Sequence, residues 1–121
     1  MNTIYHLIAS TEGITPFVFY VGRTIDPERR FKEHTSASVE GAEDKYKFIR
    51  EWTVVGGTWE LVSTTADCEF TECLRVARLN KGTVAEQILT ALFGETRWLT
   101  NMRDGDLLDA IADPTIVSFI S

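Results

Sequence analysis

The stretch Phe19-Tyr20-Val21-Gly22-Arg23-Thr24-Ile25-Asp26-Pro27-Glu28-Arg29-Arg30-Phe31-Lys32-Glu33-His34 decides the fold of this chain. Aromatic and β-branched residues from Phe17 to Val21 suit a strand, and Gly22 lets the backbone turn sharply or approach a ligand closely. Asp26-Pro27 is an N-cap residue followed by proline at the first helical position, so a helix starts at about Pro27. Arg30 and His34 lie one turn apart on one face of that helix, while Phe31 can point into a core. A strand-end tyrosine, a glycine turn and two nitrogen-bearing side chains together suit a phosphate.

Upstream, Ile4 to Ala9 is dense in β-formers and is separated from Phe17 to Val21 by Ser10-Thr11-Glu12-Gly13-Ile14-Thr15-Pro16. The pair reads as a β-hairpin with a long loop, its strands buried on both faces. Downstream, Tyr46, Ile49 and Trp52 recur at helical spacing within 42–52, which predicts a second amphipathic helix. Gly56-Gly57 breaks the chain, and Thr58 to Thr64 alternates as a third strand. Asp67 can cap a helix running to about Leu79, Thr83 another from Val84 to Phe93, and Pro114 to Ile120 reads as a further strand or an apolar strap. The expected fold class is α+β: a small central antiparallel β-sheet flanked by α-helices in a single domain over 1–121, with an acidic C-terminal extension from about 103.

Taken with Thr3-Ile4-Tyr5, the segment Tyr20-Val21-Gly22 resembles the paired motif of the GIY-YIG nuclease superfamily. In that family a tyrosine closes the first motif, a tyrosine and glycine bracket the second, an arginine follows on the next helix with a histidine or tyrosine one turn later, and a metal-binding glutamate and an asparagine come further on. Tyr5, Tyr20, Gly22, Arg30, His34, Glu86 and Asn101 take those places here. The opening glycine is replaced by Thr3, and residues inserted between Trp59 and Thr83 separate the front half from the glutamate.

The resemblance implies a divalent-metal-dependent endonuclease that hydrolyses nucleic-acid phosphodiester bonds, DNA before RNA, by in-line attack of water. Tyr5 would accept a proton from the attacking water, Arg30 would hold the scissile phosphate, and Glu86 would hold Mg²⁺ or Mn²⁺ against the leaving oxygen. Tyr20, His34 and Asn101 would position the phosphate or water, with Gly22 and Arg23 at the phosphate. A tyrosine has a pKa of roughly 10, so base action near neutrality needs cations to favour phenolate character; Arg23, Arg30 and the metal would supply that field. The alternative class is a GIY-YIG scaffold retained as a binding module for a protein or nucleic-acid partner.

Several residues carry a plain structural reading beside the functional one. Thr83-Val84-Ala85-Glu86 is a capping box, in which the glutamate reaches back to the start of its own helix. Strand tyrosines commonly pack with their hydroxyls toward water, and His34 could be a solvated helix-end histidine. His6 alternates away from Tyr5 and receives no role. Trp52, Trp59 and Trp98 are read as core rather than as base-stacking platforms.

Composition bounds these readings. The 121 residues suit one core, 44% of them are hydrophobic, and no apolar run approaches the roughly eighteen residues of a membrane span. Without a signal-peptide pattern the chain is expected in the cytoplasm, away from membrane. Cys68 and Cys73 read as free thiols, since two cysteines and two histidines make no evident four-ligand zinc site. The formal net charge of −6 opposes binding to phosphates. Its distribution softens this: Arg23, Arg29, Arg30 and Lys32 gather near the site, Lys45, Lys47 and Arg50 follow on the next helix, and Asp104, Asp106, Asp109 and Asp113 load the C-terminal end. A helper DNA-binding partner protein, a structured substrate or use of the acidic surface against a protein target would fit weak binding to duplex, and a homodimer would supply the two active sites that a double-strand break needs.

Overall fold

The computed structural model describes residues 3–63 and 77–101. The expected helix from Asp67, both cysteines, the acidic extension and the segment Pro114–Ile120 lie outside the described residues, apart from Ala77–Asn80. Strands β1 (Thr3–Thr11) and β2 (Ile14–Thr24) form an antiparallel hairpin, followed by helices α1 (Pro27–Ala37) and α2 (Asp44–Val54). Strand β3 (Thr58–Ser63) pairs antiparallel with β1, giving the sheet order β2-β1-β3. A short 3-10 turn (Arg78–Asn80) precedes helix α3 (Val84–Phe93). The α+β architecture expected from the sequence is therefore present, with an antiparallel sheet and three described helices.

The hairpin is longer and tighter than its sequence implies. Thr11 pairs with Ile14, so the turn shrinks to Glu12-Gly13, with Gly13 at φ +83° where a side chain would be strained. The expected loop residues Ser10 and Ile14 to Pro16 are absorbed into strands. Pro16 is tolerated because β2 is an edge strand in the described sheet. Burial on both faces does not hold for β1 either: Tyr5, Leu7 and Ala9 are fully buried, while His6 and Ile8 between them are half-buried.

One irregularity in β2 positions the site. Leu7 pairs with Tyr20 and Ile8 with Val18, so Phe19 has no counterpart on β1. This bulge puts Tyr20, opposite Leu7, on the same face as Phe17, opposite Ala9, which strict alternation would forbid. Phe19 still packs its ring 4.6 Å from Phe48 of α2.

The core joins that face to Phe48, Ile49 and Trp52 of α2 and Ala85 and Leu89 of α3. On α1, Phe31 sits 5.2 Å from the Trp59 ring of β3. Trp52 and Trp98 are buried and Trp59 packs against the core, as expected of core residues. The free edge of β2 is closed by side chains. Asn80 Nδ2 donates to Val18 O at 2.6 Å and to Trp98 O at 3.0 Å, and the Thr100 amide and hydroxyl both donate to Phe19 O. These bonds satisfy backbone groups that an exposed edge would leave open.

Candidate active site

Tyr5 and His34 are both fully buried, Tyr5 because its strand is central and His34 because α1 turns that face toward the sheet. Asp26 starts α1 by accepting the Arg29 amide at 3.2 Å, which sets the phase of the helix and brings Arg30 and His34 over Tyr5. Arg30 Nε donates to the Tyr5 hydroxyl at 3.3 Å. That hydroxyl lies 2.7 Å from His34 Nε2, and His34 Nδ1 lies 3.0 Å from the Tyr46 hydroxyl on α2. Four side chains from β1, α1 and α2 thus form one continuous chain, Arg30–Tyr5–His34–Tyr46.

Protonation states follow from burial and charge. Burial, then the positive charges of Lys45 and Arg30, hold His34 down at about 4, so its ring is neutral near pH 7. One ring nitrogen donates and the other accepts. Because the Tyr5 oxygen already accepts from Arg30, the tautomer that gives the Tyr5 proton an acceptor has Nε2 unprotonated and Nδ1–H donating to Tyr46. Burial also raises the Tyr5 phenol above its ordinary value and outweighs the lowering by Arg30. Arg30 and Lys45 therefore act toward the phenolate, but burial outweighs them in the protein alone, and Tyr5 rests as a phenol with its proton directed at His34.

The buried neutral histidine makes stability pH-dependent. The His34 pKa falls from 6.5 to about 4 on folding, so its contribution is complete above about pH 6.5 and is lost as pH falls toward 4. His6, also lowered by burial, acts in the same direction. Denaturant midpoints at about pH 7 and about pH 4.5 should differ by roughly 2–3 kcal/mol in unfolding free energy through His34. His6→Gln should keep most of that difference and His34→Gln should remove most of it; equal loss in both would contradict the assignment.

Tyr20 stands beside this chain, its ring 6.1 Å from that of Tyr5 and 5.8 Å from His34. Its hydroxyl accepts from Lys45 Nζ at 3.2 Å, and that ammonium sits 4.3 Å above the Tyr20 ring. Gly22 faces Tyr5 across the ladder so closely that a Cβ at this position would fall 2.3 Å from the Tyr5 Cζ and hydroxyl oxygen. Arg23 is exposed just beyond it.

Two expected site residues make backbone contacts, Asn101 at the site and Glu86 away from it. Asn101 engages the backbone of Val21 with both ends of its amide, accepting from Val21 N at 2.8 Å and donating to Val21 O at 2.7 Å. It acts as a one-residue strand partner beside Gly22. Glu86 lies in the first turn of α3, and one of its carboxylate oxygens accepts the Gly82 amide at 3.0 Å. This is the reach-back of a capping residue, made one position before the N-cap. Among the described residues, no hydrogen bond joins Glu86 to Tyr5, Tyr20, Arg30 or His34, and no group of three acidic, histidine or cysteine side chains makes a metal cluster.

Four further residues at the site went unassigned in the sequence. Tyr46 was legible only as a helix-face aromatic, and its hydroxyl secures His34. Lys45 was legible as one of a basic group, yet its side chain is only 8% exposed. Glu33 accepts from both Arg29 and Arg30 at 3.0 Å, and Glu43 pairs with Lys45 at 2.8 Å. The available signal for the pairs was spacing along α1, i,i+3 and i,i+4; Glu43 lies ahead of α2, where no such rule applies.

The family model for the GIY-YIG catalytic domain matches residues 1–71, which carry both tyrosine motifs, Arg30 and His34. No curated protein and no solved structure matches the chain. No described helix is long and apolar enough to cross a membrane. With more than half of its length matched and both motif tyrosines gathered with Arg30 and His34 in one site, the chain belongs to the GIY-YIG nuclease family.

Proposed function

We propose that this protein is a divalent-metal-dependent endonuclease that hydrolyses phosphodiester bonds of nucleic acid, with DNA as the first substrate to test. The observation that supports it most is the Arg30–Tyr5–His34–Tyr46 chain, a buried proton path ending at a guanidinium. Arg30 holds a phosphate oxygen once it leaves Glu33. As the attacking water loses a proton to the Tyr5 oxygen, the Tyr5 proton passes to His34 Nε2, and the imidazolium so formed keeps its Nδ1–H on Tyr46. The electron pair of the breaking P–O bond leaves with the departing oxygen. Negative charge arriving with the substrate offsets the field of Lys45 and Arg30 that depresses His34, so the histidine becomes a better proton acceptor when it is needed. Asn101 acts through the backbone of Val21, keeping β2 and Gly22 in register beside Tyr5.

Glu86 is the residue that would hold the metal. Its donor chemistry fits a hard cation, which takes one or two carboxylates and completes its shell with water and phosphate oxygens, and among the described residues one of its oxygens is engaged, by Gly82. A bound Mg²⁺ would supply positive charge to the departing oxygen.

The test is nicking of supercoiled plasmid by the purified protein at low salt with Mg²⁺ or Mn²⁺, with EDTA and Glu86→Gln controls, the glutamine retaining an acceptor for the Gly82 amide. Metal-dependent nicking that falls at least about 100-fold in Glu86→Gln is the expected outcome. The carboxylate of Glu86 turned onto Gly82 favours a second reading, a binding module on the same scaffold. Absence of cleavage on plasmid, single strands, branched DNA and RNA would reject the enzyme in favour of that module.

A further inference from the structure

Lys45 has the wrong surroundings for a purely structural lysine. Its side chain is 8% exposed, and its Nζ lies over the rings of Tyr20 at 4.3 Å and Tyr46 at 5.1 Å and within 3.2 Å of the Tyr20 hydroxyl. Withdrawing an ammonium from water is unfavourable, and a methionine would fill the same space without that cost. Among the described residues, the carboxylate paired with it is Glu43 at 2.8 Å, whose side chain is 67% exposed. A pair with one partner in solvent adds little stability. Lys45, Tyr20, Thr100 and Asn101 line a polar pocket of about 410 Å³, with Glu43 and Asp44 on its wall. Asp44 is already neutralised by Arg97 at 2.6 Å.

The same pattern holds at the neighbouring cation. Arg30, bound to the Tyr5 hydroxyl, is covered by the exposed carboxylate of Glu33 at 3.0 Å. Two adjacent site tyrosines therefore each carry a cation on the hydroxyl, and each cation carries an exposed glutamate. A carboxylate and a phosphate offer such donors the same pair of anionic oxygens.

Resting on the endonuclease reading above, we propose that Lys45 is a second phosphate-binding cation of the site, and that Glu43 and Glu33 occupy, in the protein alone, the positions taken by phosphate oxygens in the substrate complex. Substrate then enters by exchange of carboxylate for phosphate. The exchange gives an acidic protein a nucleic-acid site whose cations are concealed until they are used, and it imposes a cost on weakly charged ligands that cannot displace a glutamate.

The experiment is fluorescence anisotropy of labelled single-stranded and duplex DNA oligonucleotides of about 20 nucleotides, titrated with salt in EDTA so that binding is read without metal-dependent cleavage. Glu43→Gln should tighten binding by roughly fivefold, while Glu12→Gln, the same charge change on the distant hairpin turn, should alter it by less than about twofold. Lys45→Met should weaken binding by roughly tenfold and lower the slope of log affinity against log salt by about 0.7–0.9, and Lys45→Arg should restore the slope. Glu43 is exposed, so its variant remains informative even if Lys45→Met does not fold. Equal effects of Glu43→Gln and Glu12→Gln, or an unchanged slope in folded Lys45→Met, would overturn the proposal and leave plasmid nicking intact. Failure of the wild-type protein to bind either oligonucleotide in EDTA would also overturn it, while the nicking assay would still decide the endonuclease reading separately.

Discussion

Tyr5→Phe should reduce the single-turnover nicking rate by about 10²–10⁴-fold, the range spanned by loss of a positioned proton-transfer group. The phenylalanine keeps the ring that belongs to the core beside the Tyr20 and His34 rings, and it removes only the hydroxyl shared by Arg30 and His34. Two consequences should appear together. The acceptor for the proton of the attacking water is gone, and His34 Nε2 is left buried without its partner, at about 1–3 kcal/mol of stability. Oligonucleotide affinity should change by less than about threefold, because Arg30 and Lys45 keep their charge. His34→Gln in the Tyr5→Phe background should then add little further loss, since residues of one proton path act as a unit. A Tyr5→Phe protein that nicks at the wild-type rate would remove Tyr5 from the chemistry.

Gly22→Ala should be nearly as damaging to activity by a different route. The added Cβ would lie 2.3 Å from the Tyr5 Cζ and hydroxyl oxygen and 2.7 Å from Cε1, distances no carbon pair tolerates. Tyr5 is fully buried on the central strand, so its ring cannot swing into solvent, and either the ring or the β1–β2 spacing must give way. Overpacking of this kind costs about 1–3 kcal/mol. Because the displaced atom is the hydroxyl shared with Arg30 and His34, a shift of about 1 Å should cost on the order of 10²-fold in rate. Thermal unfolding and nicking measured on one preparation would separate the two effects. A folded Gly22→Ala protein with full activity would show that Tyr5 can work from a second position. Gly22 is thus required for the space it leaves rather than for a positive φ, since none is found there.

Much of the fold was open to reading from local chemistry alone. Asp26-Pro27 set the start of α1, Thr83 marked the start of α3, and the helical spacing of Tyr46, Ile49 and Trp52 marked the buried face of α2. The hairpin loop was overestimated because its true turn, Glu12-Gly13, depends on register across the ladder rather than on the run of turn-forming residues around it.

At the site, Tyr5, Tyr20, Gly22, Arg30 and His34 were named from motif spacing, because a strand end, a turn and the first turns of a capped helix are close in sequence as well as in space. Which of them touch was not decided there. The bulge at Phe19 that aims Tyr20, the Tyr46 hydroxyl under His34, the burial of Lys45, the glutamates on both cations and the clasp of Asn101 on Val21 all depend on contacts across 12 to 80 residues of chain or on side-chain rotamers. By itself the sequence determined the elements, the family motif and the set of groups able to act. Only the tertiary structure decided how firmly they hold their protonation, since burial brings a dielectric and neighbouring charges that no local pattern records: it raises the Tyr5 phenol further and holds the His34 ring neutral down to about pH 4.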